Sequence, residues 1–413
     1  MNAKTFLSLF AALAASTLAA ATPVIRAETV TFSQNSSRLV TIGYTLESAD
    51  AIVTVDVLTN GVSIGTENFT NIDGDVNKRV TPGERIVVWQ PRKSWPGHVF
   101  KNNEVSVELK AWDVSVPPDY MVVDLSATNA LVRYYANANA LPGGGLTNDI
   151  YRSTKLVMRR IPASGNIWTM GSPSTETDRV AGREPQHLVT MTNDYYLGVF
   201  PVTQAQHLLV VGSNPTPSGV RGSDSDYAPV YGEEYQSLRG GSVSWPTNGH
   251  AVGGASHLSK WRNLTNIDFD LPTSAQWEFA CRAGTGTAYY YGTDAASMGD
   301  YAWYSANAGG KLHRVGEKIP NAWGLYDFYG NAWEWCLDWT GNHNSDPVTE
   351  PVGPKTGSSD SYRRIGRGGD YASTVGSCRS AKINPQNVPE TTTSGAFPHK
   401  TGYRLSCPPQ LKW

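Results

Sequence analysis

Charged residues and histidines are scarce in this sequence of 413 residues. Lys, Arg, Asp and Glu make up 17% of it and give a formal net charge of -2, without any run of basic residues. The chain therefore lacks the basic field that nucleic acid or an anionic membrane surface requires. The eight histidines form no H-x-H or H-x-x-x-H pair, and neither a G-x-S-x-G elbow nor a phosphate-binding glycine loop is present. The sequence thus predicts no histidine metal motif, no serine-hydrolase site and no nucleotide site.

The first 27 residues have the pattern of a secretory signal peptide. Lys4 is the only charged side chain before the apolar stretch 6–21, and small residues then allow cleavage after Ala21 or Ala27. A membrane-spanning helix needs about 20 apolar residues, which makes an anchor the weaker interpretation. We expect a secreted or periplasmic protein that has no membrane span once the signal is removed.

The four cysteines, Cys281, Cys336, Cys378 and Cys407, all lie in the C-terminal half of the chain. An even number of cysteines in an exported protein predicts two disulfide bridges, and three pairings are possible. None of the four stands in C-x-x-C or zinc-type spacing. The residues alone therefore leave the pairing open.

Residues 28–125 are predicted to form an all-β domain. Val53, Val55 and Val57 alternate with polar residues, and residues 104–112 alternate almost perfectly. A period of two is typical of half-buried strands. Asn60-Gly61 between two apolar runs indicates a hairpin turn. About a hundred residues of short strands favour an immunoglobulin-like β-sandwich, which we interpret as a spacer or adhesion module.

A linker and a second domain are predicted to follow. Residues 126–151 contain an Ala-Asn repeat and a glycine-rich stretch, which is typical of a linker. Residues 152–408 contain all the cysteines. Three short helices are expected there: Gln204–Val211 behind the cap Thr203, one behind the capping box of Thr273 and Gln276, and one over residues 256–264. The rest is expected to be short strands and ordered loops.

A series of short motifs in the second domain resembles one protein family. In chain order they are Met170-Gly-Ser172, Glu184-Pro-Gln-His187, Pro201-Val-Thr203, Val243-Ser-Trp245, the stretch 271–280, Gly324-Leu-Tyr-Asp327, the stretch 330–335, Arg367-Gly-Gly369, Arg379-Ser-Ala381 and Gly402-Tyr-Arg404. This ordered series resembles the formylglycine-generating enzyme (sulfatase-modifying factor) family. The resemblance implies an α+β domain with a C-type-lectin-like core and little regular secondary structure. It does not extend to residues 28–150.

The resemblance also implies a chemistry from which this sequence departs. Active members of the family oxidise a cysteine of a sulfatase to formylglycine with oxygen, and a pair of cysteines five residues apart holds copper(I), for which thiolates are the preferred ligands. Aligned on Gly368-Gly369, the two cysteine positions fall on Ser373 and Cys378. Aligned on Arg379-Ser-Ala381, they fall on Asp370 and Val375. Neither alignment gives a pair, so copper is expected only if an oxidase site of another design exists.

Cys378 has two interpretations. It is the candidate catalytic thiol, with the adjacent Arg379 as the cation that would lower its pKa. Alternatively, the resemblance implies that Cys378 forms a structural bridge with Cys336, in which case Cys281 would pair with Cys407. We favour the two bridges.

A calcium loop is implied by the resemblance at residues 327–334. By position, Asp327 and Glu334 would supply carboxylates, and Gly330 and Ala332 would supply backbone carbonyls. Calcium takes six to eight hard oxygen ligands and tolerates irregular geometry, which a short loop bent at a glycine can provide. We expect a structural calcium ion here. The alternative is a tryptophan-rich packing motif with solvated acids.

Two functions follow from these observations. The first is an exported, non-catalytic or altered member of the family that acts as a C-type-lectin-like binding module. Its partner would be an unknown protein or glycan ligand, held on the loops 214–240 and 341–361. The second is a formylglycine-generating oxidase, or a related oxidoreductase, with a non-standard site that acts on a sulfatase polypeptide. The missing cysteine pair favours the first.

Overall fold

The computed structural model describes residues 21–65, 68–69, 71–98, 104–126, 130–341, 345–355, 363–387 and 401–409. The apolar stretch of the predicted signal peptide lies almost wholly outside these ranges. Within them, every helix is too short or too polar to cross a bilayer. The described chain is rich in strands and has few, short helices.

The first region consists of two antiparallel sheets that share one core. Its elements are β1 (Val24–Ile25), β2 (Thr31–Gln34), β3 (Val40–Glu47), β4 (Ala51–Thr59), β5 (Val62–Ser63), β6 (Ile72–Gly74), β7 (Lys78–Val80), β8 (Gly83–Trp89), the short helix α1 (Pro91–Ser94) and β9 (Val105–Asp113). One sheet has the order β1-β3-β8-β6 with β2 on β3, and the other has the order β5-β4-β7 with β9 on β4. Alternate residues of β3 are buried, and Trp89 is a fully buried member of the core. The predicted all-β character of this region is confirmed.

The hairpin predicted at Asn60-Gly61 is confirmed. The two residues join β4 to β5 and have φ values of 51° and 77°. A two-residue turn of this kind matches the right-handed twist of its strands, and it requires positive φ at both positions. Asparagine and glycine are the residues that adopt this conformation at least cost.

The second region is built around a central five-stranded sheet. Its strands are β10 (Tyr120–Asp124), β11 (Leu131–Tyr135), β12 (Lys155–Ile161), β13 (Ile167–Met170), β14 (His187–Thr190), β15 (Tyr195–Gly198), β16 (Trp333–Trp339), β17 (Val348–Thr349), β18 (Arg363–Arg367), β19 (Asn384–Asn387), β20 (Thr401–Gly402) and β21 (Ser406–Cys407). The central sheet has the order β11-β10-β12-β15-β21. Two smaller sheets, β13-β14-β17 and β19-β18-β16-β20, flank it.

Each face of the central sheet covers its own hydrophobic core. Along β15, Tyr195 and Leu197 point into one core and Tyr196 points into the other. On β12, Val157 points into the same core as Tyr195, and Met158 points into the same core as Tyr196. Because successive side chains of a strand point to opposite faces, the sheet separates residues that are neighbours in sequence. We call these the first core, which contains Tyr195, and the second core, which contains Tyr196.

The boundary between the regions differs from the predicted one. β10 lies within the predicted sandwich domain 28–125 and β11 within the predicted linker 126–151, yet both belong to the central sheet of the second region. The segment 120–124 is a nearly continuous apolar run, and such a run is typical of a strand that is buried on both faces. Since β10 pairs with β11 on one side and β12 on the other, the predicted linker is part of the folded second region.

The helices of the second region are α2 (Gln204–Val211), α3 (Tyr235–Arg239), α4 (His257–Thr265), α5 (Ser274–Arg282) and α6 (Met298–Tyr301). The three predicted helices correspond to α2, α4 and α5. Thr203 and Thr273 form complete capping boxes. In each box the threonine side chain accepts a hydrogen bond from the backbone N–H of the glutamine at position N3, and the side chain of that glutamine accepts one from the threonine N–H. Ser256 caps α4 through the Ser259 N–H. The local capping signals therefore predicted these helix starts correctly.

Candidate functional site

The loop that carries Cys378 leaves β18 at two consecutive glycines. Gly368 and Gly369 have φ values of 97° and 86°, where side chains are rarely tolerated, so glycine is required at this turn. The loop ends in one 3-10 turn, Val375–Cys378, which places Cys378 in the first core. Cys378 has no exposed surface. Its sulfur therefore faces the protein interior.

The surroundings of the Cys378 thiol keep it protonated. Burial, together with the negative charge of Asp370, raises its pKa to about 12 despite a hydrogen bond from the backbone of Gly330. A Cβ atom on Gly369 would lie 2.6 Å from the sulfur, so the backbone closes the space beside it. A nucleophilic or metal-binding cysteine requires a thiolate near neutral pH. The surroundings of Cys378 instead favour the protonated thiol.

Arg379, the cation predicted to activate Cys378, is engaged elsewhere. Its buried guanidinium donates to Glu184 at 2.8 and 3.1 Å, and to Glu176 as well. Glu184 also accepts from the hydroxyl of Ser172, at 2.9 Å. Three of the motifs noted in the sequence therefore meet in one buried ion-pair network. The network stabilises the fold and leaves no free positive charge beside the sulfur.

Asp370 and Ser373, which fall at the first cysteine position in the two alignments, bond to each other. The Ser373 hydroxyl donates to Asp370 Oδ1 at 2.6 Å, and the Asp370 N–H donates to the same hydroxyl oxygen at 3.0 Å. The hydroxyl of Tyr231 donates to Asp370 Oδ2 at 3.3 Å. The loop thus offers one protonated thiol, a hydroxyl and a carboxylate. Copper(I) held by two thiolates does not fit this set.

All four cysteines are buried thiols, and the structure forms neither predicted bridge. Cys407 pairs with Tyr196 across β15 and β21 and lies in the second core, whereas Cys281 lies in the first core. The central sheet therefore separates the two residues that were expected to bond. Cys336 and Cys378 share the first core, but each remains a thiol whose pKa is raised by burial.

Asp327, the first predicted calcium ligand, already has a protein partner. It is buried, has a φ of 56°, and accepts at Oδ2 from the N–H of Gly316 at 2.6 Å. Burial raises the pKa of its carboxyl to about 6. Gly330 presses against the carbonyl of Trp303 and leaves no room for a Cβ atom, while Ala332 lies in a small separate core.

Glu334, the second predicted carboxylate ligand, is neutralised by Arg404. Arg404 donates to both of its oxygens, at 3.1 and 2.8 Å, and Trp277 donates a third bond at 2.7 Å. The positive charge of Arg404 also lowers the pKa of Asp327 and so offsets part of the effect of burial. The same guanidinium donates to the carbonyls of Gly198, Val199 and Tyr326. A protein cation thus satisfies Glu334, and a calcium ion bound by Glu334 does not fit. The sequence motif Gly402-Tyr-Arg404 contains this arginine, but the sequence did not indicate that it pairs with Glu334.

The predicted binding loop 214–240 is largely part of the fold. Its buried residues include Ala228, Val230, Tyr231, Glu233, Tyr235, Leu238 and Arg239. Apart from Glu234, its exposed residues lie in its first half, around Pro217 and Asp224. The second predicted loop, 341–361, lies in part outside the described residues. The surface predicted for ligand binding is therefore smaller than the sequence suggested.

A cleft of about 740 Å³ lies between the first region and the segment around β11. One wall comes from β4, β6 and β9, and the other comes from β11 and the turn that follows it. Charged and aromatic side chains line the cleft, among them Asp56, Glu108, Lys110, Arg133 and Tyr135. Its volume is in the range of small-ligand sites. The sequence contains no signal for this cleft, because residues 126–151, which form one of its walls, have the composition of a linker.

The second region is similar in sequence to several known proteins. A family model described as "Sulfatase-modifying factor enzyme 1-like domain" matches residues 156–405. The formylglycine-generating enzyme of Thermomonospora curvata is 30% identical over 156 residues, which are 34% of this chain and 49% of that protein. The formylglycine-generating enzyme of Mus musculus is 25% identical over 307 residues, which are 64% of this chain and 79% of that protein.

Two other similarities concern proteins with different descriptions. Chaperone protein LppX of Paenibacillus barcinonensis is 27% identical over 214 residues, which are 44% of this chain and 71% of that protein. Among solved structures, Treponema denticola variable protein 1 is 25% identical with a TM-score of 0.47, over 62% of this chain and 96% of that one. The chain spans about half the length of the Thermomonospora curvata enzyme.

Proposed function

Because this chain belongs to the sulfatase-modifying factor enzyme 1-like family, with the matching domain at residues 156–405, we propose that it is an exported, non-catalytic member that works as a binding module. In this proposal the second region has the C-type-lectin-like fold of the family, and the first region is an immunoglobulin-like sandwich. The observation that carries the proposal is the state of Cys378. It is a lone, fully buried thiol with a raised pKa.

The thiol chemistry of the family has no basis at this position. Because burial raises the pKa of Cys378 to about 12, the residue stays a protonated thiol at pH 7. Ser373 replaces a second sulfur and is bonded to Asp370. Arg379 is bonded to Glu184. The loop is therefore a packed structural element, and its surroundings favour a structural role over oxidation.

The cleft beside β11 is the proposed ligand site, and a glycan is the proposed ligand. Asp56 and Glu108 provide carboxylates that accept from sugar hydroxyls, while Lys110 and Arg133 provide donors. Tyr135 adds an aromatic ring of the kind that packs against sugar faces. A cleft with charges of both signs suits an uncharged polar ligand better than a strongly charged one.

A paired experiment tests both halves of the proposal. Purified protein is incubated with copper, a reductant, oxygen and a peptide that contains Cys-x-Pro-x-Arg, and aldehyde formation is followed by mass spectrometry. We expect no aldehyde. Aldehyde that forms in the wild type and persists in Cys378→Ser would overturn the non-catalytic assignment, because it would reveal an oxidase site of another design.

Binding is measured on a glycan array, with the affinity for any hit determined by calorimetry. Glu108→Ala and Arg133→Ala should weaken binding at least tenfold. Glu84→Ala changes an exposed glutamate on β8 that is not among the cleft-lining residues, and it should bind as the wild type does. Equal binding by all three variants would remove the cleft as the site.

A further inference from the structure

Three side chains that are far apart in the sequence converge in the second region. The ligand atoms of His207, Glu233 and His257 all lie within 4.8 Å of one another. His207 Nε2 is 3.1 Å from Glu233 Oε1, and His257 Nδ1 is 3.0 Å from Glu233 Oε2. His207 and Glu233 are buried, and His257 keeps about a fifth of its side chain exposed. We call these three residues the His–Glu–His cluster.

Separate elements hold each member of the cluster in place. His207 is on α2, behind its complete capping box, and His257 is the first residue of α4. Glu233 precedes α3, and its backbone is fixed at both ends. Its N–H donates to the carbonyl of Thr401 at 3.0 Å, and its carbonyl accepts from the Trp335 indole at 2.8 Å. The cluster is therefore preorganised by the fold.

A second layer of hydrogen bonds orients His207. Its Nδ1 lies 3.0 Å from the hydroxyl of Tyr403, which also accepts from the indole of Trp261 at 3.0 Å. When the tyrosine oxygen accepts from Nδ1–H, the lone pair of His207 is on Nε2 and faces Glu233. An outer partner of this kind fixes the tautomer of histidines that bind metals.

The contact between His207 Nε2 and Glu233 Oε1 is not satisfied as a hydrogen bond. The two atoms are 3.1 Å apart, yet neither has a hydrogen-bond partner of acceptable geometry in the structure. Both belong to buried residues, and a buried polar atom without a partner destabilises the folded state. A cation placed among the three ligand atoms would satisfy both.

We propose that the His–Glu–His cluster binds one divalent transition-metal ion of the zinc type. Two imidazole nitrogens and one carboxylate oxygen are a donor set that suits Zn²⁺ and the neighbouring first-row ions, at about 2.0–2.2 Å each. Three protein ligands leave a coordination position open, and the partly exposed His257 marks the side from which water or a ligand reaches it. The site is distinct from the Cys378 loop and from the proposed glycan cleft.

The test uses the full mature chain, stripped with a chelator and reloaded with zinc alone. Metal content is measured by mass spectrometry after gel filtration, and affinity is measured by calorimetry. The wild type should retain one zinc per chain. Glu233→Gln and His257→Gln, which preserve side-chain size, should each lower the affinity at least tenfold. Cobalt(II) should give the visible absorption of a low-symmetry site, and that absorption should be lost in both variants.

His250→Ala is the matched control. His250 Nδ1 also lies 2.9 Å from a buried carboxylate, that of Asp270, but it is outside the three-residue cluster. This variant should retain one zinc per chain. Circular dichroism shows whether each variant is folded, and since His257 is partly exposed its variant provides the test if Glu233→Gln fails to fold. Folded wild type that retains no zinc, or zinc retained equally by His257→Gln, would overturn the proposal and leave a hydrogen-bonded polar cluster.

Discussion

Arg404 and Glu334 form a two-pronged ion pair inside the protein, at 3.1 and 2.8 Å, with both side chains buried. The pair joins β16 to the segment before β21, and Arg404 extends it to three backbone carbonyls. A guanidinium presents several donors in a rigid fork, so one residue can organise several loops at once. This arrangement takes the place of the calcium site that the family resemblance implied.

Replacing Glu334 with glutamine should be strongly destabilising. The substitution leaves the Arg404 charge buried without a counterion, and breaking a buried pair in this way costs about 3–5 kcal/mol. Urea unfolding at pH 7 measures the loss. Asp50→Asn, which breaks the part-exposed pair with Arg79, should cost about 1 kcal/mol or less. A chelator selective for calcium should leave the melting temperature of the wild type unchanged, and a large drop on chelation would contradict our assignment.

The four cysteines should behave as buried thiols. Burial raises the pKa values of Cys281 and Cys378 to about 12, so iodoacetamide at pH 8 should label neither in the native protein. After unfolding without reductant, we expect four labelled cysteines per chain, counted by intact mass. Two labels would indicate one bridge, and none would indicate two, in which case the bridges predicted from the sequence would be restored.

Gly369→Ala should cost more than the conformational penalty alone. The new Cβ would lie 2.6 Å from the Cys378 sulfur, at a residue whose φ is 86°. Gly284 has a similar φ of 92° and nothing within 4 Å of its Cβ position, so Gly284→Ala measures the conformational cost by itself. We expect about 1–2 kcal/mol for Gly284→Ala and a further 1–3 kcal/mol for Gly369→Ala.

A double-mutant cycle separates crowding from conformation at Gly369. Cys378→Ala removes the sulfur, so part of the cost of Gly369→Ala should disappear in that background, measured by chemical denaturation. Additive free energies of unfolding would show that the sulfur and the glycine do not press on each other.

The stability of the protein should depend on pH through Asp338. This buried carboxylate accepts from the Ser274 N–H at the start of α5, and burial raises its pKa from 3.8 to about 6. The folded protein therefore keeps a proton that the unfolded chain loses, and stability falls as pH rises from about 4 to about 6. Asp338→Asn, which keeps an acceptor oxygen, should gain up to about 3 kcal/mol relative to wild type over this window. A constant difference between the two proteins at pH 4 and pH 7 would refute the assignment.

The sequence by itself determined the features that depend on neighbouring residues. Capping boxes at Thr203 and Thr273 predicted the starts of two helices, and Asn60-Gly61 predicted a hairpin, because caps and turns are local interactions. The ordered motifs also identified the family, which the match to residues 156–405 confirms. The sequence motifs contain the residues that form the family domain, but the sequence did not predict which side chains those residues contact.

Tertiary structure decided the chemistry of the sites, since it depends on residues far apart in the chain. The central sheet puts Cys281 and Cys407 in different cores, and Arg404 reaches Glu334 from 70 positions away. Likewise, β10 and β11 join the second region because strand pairing, not composition, sets a domain boundary. The cluster of His207, Glu233 and His257 has no sequence spacing that reveals it, because packing of α2 against α4 brings its members together.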